Sequence, residues 1–302
     1  MAARLGLHIM RPPISSVETA EGFIRLGSTA PACPVLISVP HAGRDYPPEL
    51  LEMSRVPRAR LEALEDRYAD LLVDEAVAAG ATAFVARRPR CWIDLNRDER
   101  EIDPTMIDPR PRAHDVILST KVRGGLGLVP RRMAGVSEIW ARRLDAEELE
   151  ARILRDHRPW HAAIASTLEE ARRRFGVALL IDCHSMPQLP AHGGGQPPRI
   201  VLGDRHGRTA PPFLMDRLTR IAEEHGFPCA RNSPYAGGHT LDRQAHPARG
   251  IHAIQIEVDR STYLAPDLRG PGEGLPRMRA LIAEMVAAMV EELSAPLARA
   301  AE

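Results

Sequence analysis

Short apolar runs alternate with long amphipathic stretches along the chain, a pattern that sets strands between helices. Val35–Val39 (VLISV) is a β-rich run between Pro34 and Pro40 and reads as a strand. Residues 58–79 carry Leu61, Leu64, Tyr68, Leu71, Leu72 and Ala76 near helical spacing and stop at Gly80, which predicts one helix. Two more short runs follow, at 82–86 and 91–95. Residues 99–137 are rich in Pro, Gly and Arg and have no period, which predicts a long functional loop region or a small subdomain. A long helical segment is expected over 146–175, with Pro159 as its breaking point. The most hydrophobic strand candidate is VALLI at 177–181, which belongs at the centre of a sheet. Strands at 199–202 and 251–258, a helix at 211–225 ended by Gly226, and a closing helix at 274–298 fraying around Pro296 complete the reading. Strands separated by helices predict a mostly parallel α/β sheet covered on both faces, to which the 235–239 loop and its return add antiparallel pairing.

Composition narrows the function classes. The chain has 302 residues, 44% hydrophobic and 26% charged, as in an ordinary globular protein. That length serves one large domain or two small ones. Lys plus Arg equals Asp plus Glu at 40 each, so net charge offers no footprint for nucleic acid or an anionic membrane. Nearly all the cations are Arg, a good two-pronged partner for carboxylates, and Lys121 is the single lysine. Cys33, Cys91, Cys183 and Cys229 are far apart and form no CxxC pair, so reduced thiols are expected rather than a disulfide framework. Residues 1–13 contain a short apolar stretch interrupted by Arg4 and His8, with no small-residue cleavage site. No segment reaches the roughly 18 to 20 apolar residues of a membrane span, and the expected location is the cytoplasm.

Three polar residues punctuate the apolar strand candidates. His41 follows VLISVP, His184 follows VALLI and Asp182-Cys183, and Glu257 lies inside Ile254-Gln255-Ile256-Glu257-Val258. Ligands of open α/β sheets gather at the carboxyl ends of strands, so these positions can meet in space. Two neutral imidazoles and a carboxylate are a common catalytic zinc set with one open position. Water acidified there needs a nearby carboxylate to move its proton. Each signal alone is weak: a lone strand-end histidine is more often a hydrogen-bonded structural residue, and a glutamate on an apolar strand can simply face solvent on the alternate side. The third ligand is open: Arg44 stands three residues past His41, Asp45 and Glu49 follow, and Asp66 and Asp70 lie one helical turn apart.

Together VLISVPHAG, EDRYADLL, CWIDLNRD, GLGLVP, LLIDCHSMP, IVLGDRHG, NSPYAGGHT and GIHAIQIEVDRSTYL resemble the N-formylglutamate amidohydrolase family, in family order over about residues 35–264. The resemblance implies a single amidohydrolase domain over 1–302, with 99–137 as a loop-rich insertion. It implies a three-layer α/β sandwich with a mostly parallel mixed sheet, phosphorylase/hydrolase-like and related to zinc carboxypeptidases. Carried over by position, His41, Asp66 and His184 hold one Zn2+ or another divalent ion, and Glu257 is the general base. Arg97, with Asp94 and Asn96 beside it, grips a substrate carboxylate. Tyr235, Gly237 and Gly238 form a loop that lets backbone approach the substrate. Arg131 and Tyr263 are secondary candidates. The implied reaction converts the small molecule N-formyl-L-glutamate to formate and L-glutamate. A carboxypeptidase-like peptidase or amidase, or a non-catalytic metal-binding relative, are the alternatives. The sequence departs from the family pattern at His239, where many relatives carry an aromatic residue. It departs also at 189–198, which includes His192, and in the arginine-rich stretch 109–132.

Overall fold

A computed structural model describes residues 17–191 and 195–300. The N-terminal stretch 1–13 and His192 lie outside the described residues. Among the described residues ten strands form: β1 (Val17–Thr19), β2 (Phe23–Leu26), β3 (Val35–Val39), β4 (Thr82–Ala86), β5 (Ile107–Asp108), β6 (Leu144–Asp145), β7 (Ala178–Met186), β8 (Ile200–Gly203), β9 (Cys229–Arg231) and β10 (Ile251–Asp259). Eight of them make one sheet in the order β1-β2-β4-β3-β7-β10-β8-β9, while β5 and β6 pair separately. The central strands β4, β3, β7 and β10 are parallel. Antiparallel pairing enters at β1–β2, β2–β4 and β10–β8 instead of through the 235–239 loop.

Helices cover both faces, because the central strands are buried on both sides and alternate between two cores. Val35, Ile37, Val39, Leu179, Ile181, Cys183, Ile254, Ile256 and Val258 pack with the helices Asp74–Ala78, Pro212–Glu224 and Leu275–Ala300. Leu36, Phe84, Leu180 and Ala253 point the other way, toward Trp160, Ile164 and Leu168 of the helix Arg158–Phe175. On this second face the apolar pattern stops in one band. Ser38, Asp182, His184, Gln255 and Glu257 replace it at the carboxyl ends of β3, β7 and β10, with Ser38 and Gln255 each in register with Asp182, and Glu257 with His184. All five are buried. A polar band in a buried layer is costly unless its members are paired.

Three predicted elements differ. Residues 58–79 are not one helix: a short helix Arg58–Leu61 gives way to single turns at Glu62–Leu64 and Ala69–Val73 before the helix Asp74–Ala78. Tyr68 sits between them in the left-handed region at φ 57°, which no continuous right-handed helix permits. Residues 91–95 form a buried irregular segment instead of a strand; Asp94 N–H donates to Leu128 O and Trp92 N–H to Pro89 O, so no ladder is possible. Over 146–175 the helix does not break at Pro159. A wider turn at Ile153–His157 just before it accommodates the missing amide donor. The backbone of the last helix runs through Pro296. Residues 99–137 hold β5, a turn at Ala113–Asp115 and the helix Thr120–Arg123. No helix among the described residues is long and apolar enough to cross a membrane.

Candidate active site

The polar band is the floor of a pocket of about 330 Å³. His41 reaches it from just beyond β3, His184 and Glu257 from within β7 and β10. Asp66 comes from the interrupted 58–79 segment, where its N–H donates to His41 O at 2.9 Å. The break that defeats the helix pattern is what turns this carboxylate inward. Asp66 Oδ2 lies 3.1 Å from His184 Nδ1 and 3.5 Å from His41 Nδ1. Each imidazole is held from behind through Nε2, which donates to Asp94 at 2.7 Å in His41 and to Asp182 at 2.8 Å in His184. Ser38 Oγ donates to Asp182 at 2.6 Å, and Asp94 also accepts from Arg90 Nε at 2.8 Å.

The donor set fits a divalent cation. One ligand atom each from His41, Asp66 and His184 lies within 4.8 Å of the others, and His41 Nδ1 is buried without a hydrogen-bond partner among the described residues. Carboxylates behind the histidines fix the tautomer that leaves Nδ1 facing the centre. The surrounding charge favours a cation too. Burial pushes the His184 pKa down, but the Asp182 charge and the hydrogen bonds to Asp182 and Asp66 outweigh it and hold the ring well above its usual range. Burial would raise Asp66, yet the hydrogen bond from His184, the closeness of His41 and the charges of His41 and Arg260 keep it well below the usual carboxylate range. Asp94 is likewise held low against its burial, by Arg90, Arg97 and His41. Glu257 behaves oppositely: burial, with Asp66 nearby, lifts its carboxyl to about 7 despite the charge of His184. Gln255 Nε2 donates to Glu257 Oε1 at 3.1 Å and fixes its orientation.

Of the candidates named for metal, base and substrate, His41, Asp66, Asn96, Arg97, His184, Tyr235, Gly237, Gly238 and Glu257 line this pocket. Arg97 is already committed in part, since Nε donates to Leu126 O at 2.9 Å and Nη1 to Asn96 O at 2.7 Å. The glycines admit protein neighbours: a Cβ on Gly238 would collide with the Asn96 side chain, and Gly237 has φ +103°. Asp45 and Asp70 are elsewhere, paired with Arg87 and Arg88 and with Arg44. Arg131 pairs with Asp103 and Glu138, and the Tyr263 hydroxyl donates to Arg67 O at 2.8 Å, so neither reaches the pocket. Arg90, Lys121, Gln255 and Arg260 are among the lining residues that had no role assigned from sequence. Gln255 and Asp182 carried a signal, since each stands two residues before a candidate on the same strand and so shares its face. The three cations come from unrelated segments with no mutual spacing. Arg260 bonds Asp66 at 2.9 Å, while Arg90 hydrogen-bonds Asp94 alone among the described residues.

The sequence model of a family described as N-formylglutamate amidohydrolase matches residues 33–264. An N-formylglutamate deformylase of Pseudomonas putida is 31% identical over 235 residues, 76% of this chain and 82% of that protein. One from Pseudomonas aeruginosa is 29% identical over 276 residues, 86% of this chain and 91% of that protein. The crystal structure of an N-formylglutamate amidohydrolase from Ralstonia eutropha JMP134 superposes with a TM-score of 0.82 at 31% identity, covering 90% of this chain and 98% of that one.

Proposed function

The chain belongs to the N-formylglutamate amidohydrolase family, and from that premise we propose that it hydrolyses N-formyl-L-glutamate to formate and L-glutamate with a bound zinc ion. One observation carries the reading: a buried His41–Asp66–His184 donor set shares a pocket with the raised carboxyl of Glu257 and with Arg90, Arg97, Lys121 and Arg260. The substrate has two carboxylates, and four cations around a metal-ligating floor are the complement such a dianion needs.

His41, Asp66 and His184 would hold the ion, and an imidazole pair with one carboxylate is a donor set that zinc accepts. When bound, the ion supplies Lewis acidity to the formyl carbonyl and to the attacking water. Glu257 takes a proton from that water and returns it to the departing nitrogen; a carboxyl near 7 suits both transfers close to neutral pH. Arg97, braced on Leu126 O and Asn96 O, presents its remaining N–H groups to a substrate carboxylate.

The direct test is release of formate and glutamate from N-formyl-L-glutamate by the purified protein, before chelation, after it, and after zinc is restored. Activity that vanishes and returns supports the proposal. A metal-loaded protein that spares this substrate but cleaves other N-acyl amino acids or peptides replaces it with the amidase or peptidase reading. Two variants probe the supporting residues. Arg97→Lys raises KM about tenfold or more with a smaller change in kcat, since a point charge cannot reproduce the planar contact or the two backbone bonds. Asp94→Asn weakens metal retention roughly 10- to 100-fold, measured by competition with a chromogenic chelator, because His41 loses the anionic partner on its Nε2.

A further inference from the structure

Behind the wall of the pocket, three more histidines converge. His157 and His161 are four residues apart on one face where the wide turn Ile153–His157 runs into the helix Arg158–Phe175. His239 opens the helix His239–Gln244 directly after Gly238. Their rings stand 4.6, 5.3 and 6.1 Å apart between centroids. One ring nitrogen of each lies within 4.8 Å of those of the other two.

Packing alone does not account for the arrangement. A histidine settled in a core uses both nitrogens, and here each ring leaves one buried nitrogen bare: Nδ1 of His157, Nε2 of His161 and Nε2 of His239. The His157 ring is braced as a ligating imidazole is, its Nε2 donating to Arg97 O at 2.8 Å. Gln244 Nε2 donates to His161 Nδ1 at 3.2 Å, so the neutral His161 ring carries its proton on Nε2 and must give it up there to ligate. His239 Nδ1 lies 3.9 Å from Asp98. Burial depresses all three imidazoles, His161 most; Arg243 adds to the effect at each, and neighbouring histidines at His157 and His161, which favours the neutral form that ligates.

We infer that His157, His161 and His239 form a second metal site, separate from the first, that takes a borderline divalent cation such as Zn2+ on three imidazole nitrogens. Paired histidines one helical turn apart are a recurrent zinc-holding unit. A tetrahedral ion about 2.0–2.1 Å from each nitrogen needs them roughly 3.4 Å apart, against a spread of up to 4.8 Å here, so binding has to draw the rings together. The site ties the long helix to the residue after the glycine pair and, through His157, to the carbonyl of Arg97. It therefore clamps the pocket wall from outside and contributes no group to the reaction.

Full-length protein stripped with chelator and titrated with Zn2+ alone, with bound metal counted by mass spectrometry, tests this. Wild type is expected to hold two equivalents, and His41→Ala and His239→Asn one each. His239 is the partly exposed member, so its variant should fold; circular dichroism of the metal-free form checks this. As a second measurement, zinc should raise the melting temperature of His41→Ala but not of the His41→Ala/His239→Asn double variant. Wild type saturating at one equivalent that His41→Ala abolishes, or His239→Asn still holding two, overturns the second site. A missing first site instead shows as His41→Ala binding as much as wild type.

Discussion

Glu257→Gln is expected to lower kcat roughly 10²- to 10⁴-fold while the protein keeps its fold and its metal. The amide matches the carboxylate in shape, and its oxygen can still accept from Gln255 Nε2, so the hydrogen bond along β10 survives. What is lost is the capacity to carry a proton. Glu257 is buried, and its carboxyl is raised chiefly by that burial, so a neutral replacement removes a strained charge rather than a stabilising one. Melting temperature should therefore hold or rise, and bound metal should equal wild type. The measurement is kcat beside metal content on the same preparation; a variant with more than a tenth of wild-type turnover removes Glu257 from the base role.

Asp66→Ala carries the other large effect. It deletes the oxygen between His41 Nδ1 and His184 Nδ1 and also the partner of Arg260, whose other hydrogen bonds among the described residues run to Ser185. Two imidazoles left without the anion hold a divalent ion poorly. Metal content after gel filtration should fall below a tenth of an equivalent at the first site, and kcat/KM by about 10³-fold or more. Leaving Arg260 and His184 without this carboxylate costs about 3–5 kcal/mol in the metal-free protein, the scale for a broken buried pair. Unchanged metal content would return Asp45 or Asp70 to consideration, although both are tied to arginines elsewhere.

How far the chain could be read follows from how local each signal is. β3, β7 and β10 are short apolar runs whose polar intruders, His41, His184 and Glu257, stand at or just past strand ends, and strand-end logic brings them together without long-range information. Asp66 was legible only through family resemblance. Leucines at helical spacing run across 58–79 and conceal the left-handed Tyr68, because hydrophobic period reports burial and cannot register a single reversed residue. The same confusion made a strand of 91–95: Cys91, Trp92, Ile93 and Leu95 are apolar because they are buried, yet they lie in an irregular loop. Strands β1 and β9, three residues each, are too short to show a period. Arg90, Lys121 and Arg260 become one cationic wall only when three distant segments fold together.

The alternation of β7 and β10 between core and pocket carries a consequence for how the protein reaches its working form. Shifting β10 by one residue would send Ile254, Ile256 and Val258 to the pocket face and bury Gln255 and Glu257 among leucines and methionines. A one-residue slip leaves no half-built catalyst, because the alternation that fills the core also aims the carboxyl. These two strands are separated by residues 187–250, so their pairing is a slow, non-local event in folding. During refolding, recovered turnover should therefore lag behind recovered helix content and appear only as that last strand registers, which makes catalysis a clock for the final step of folding.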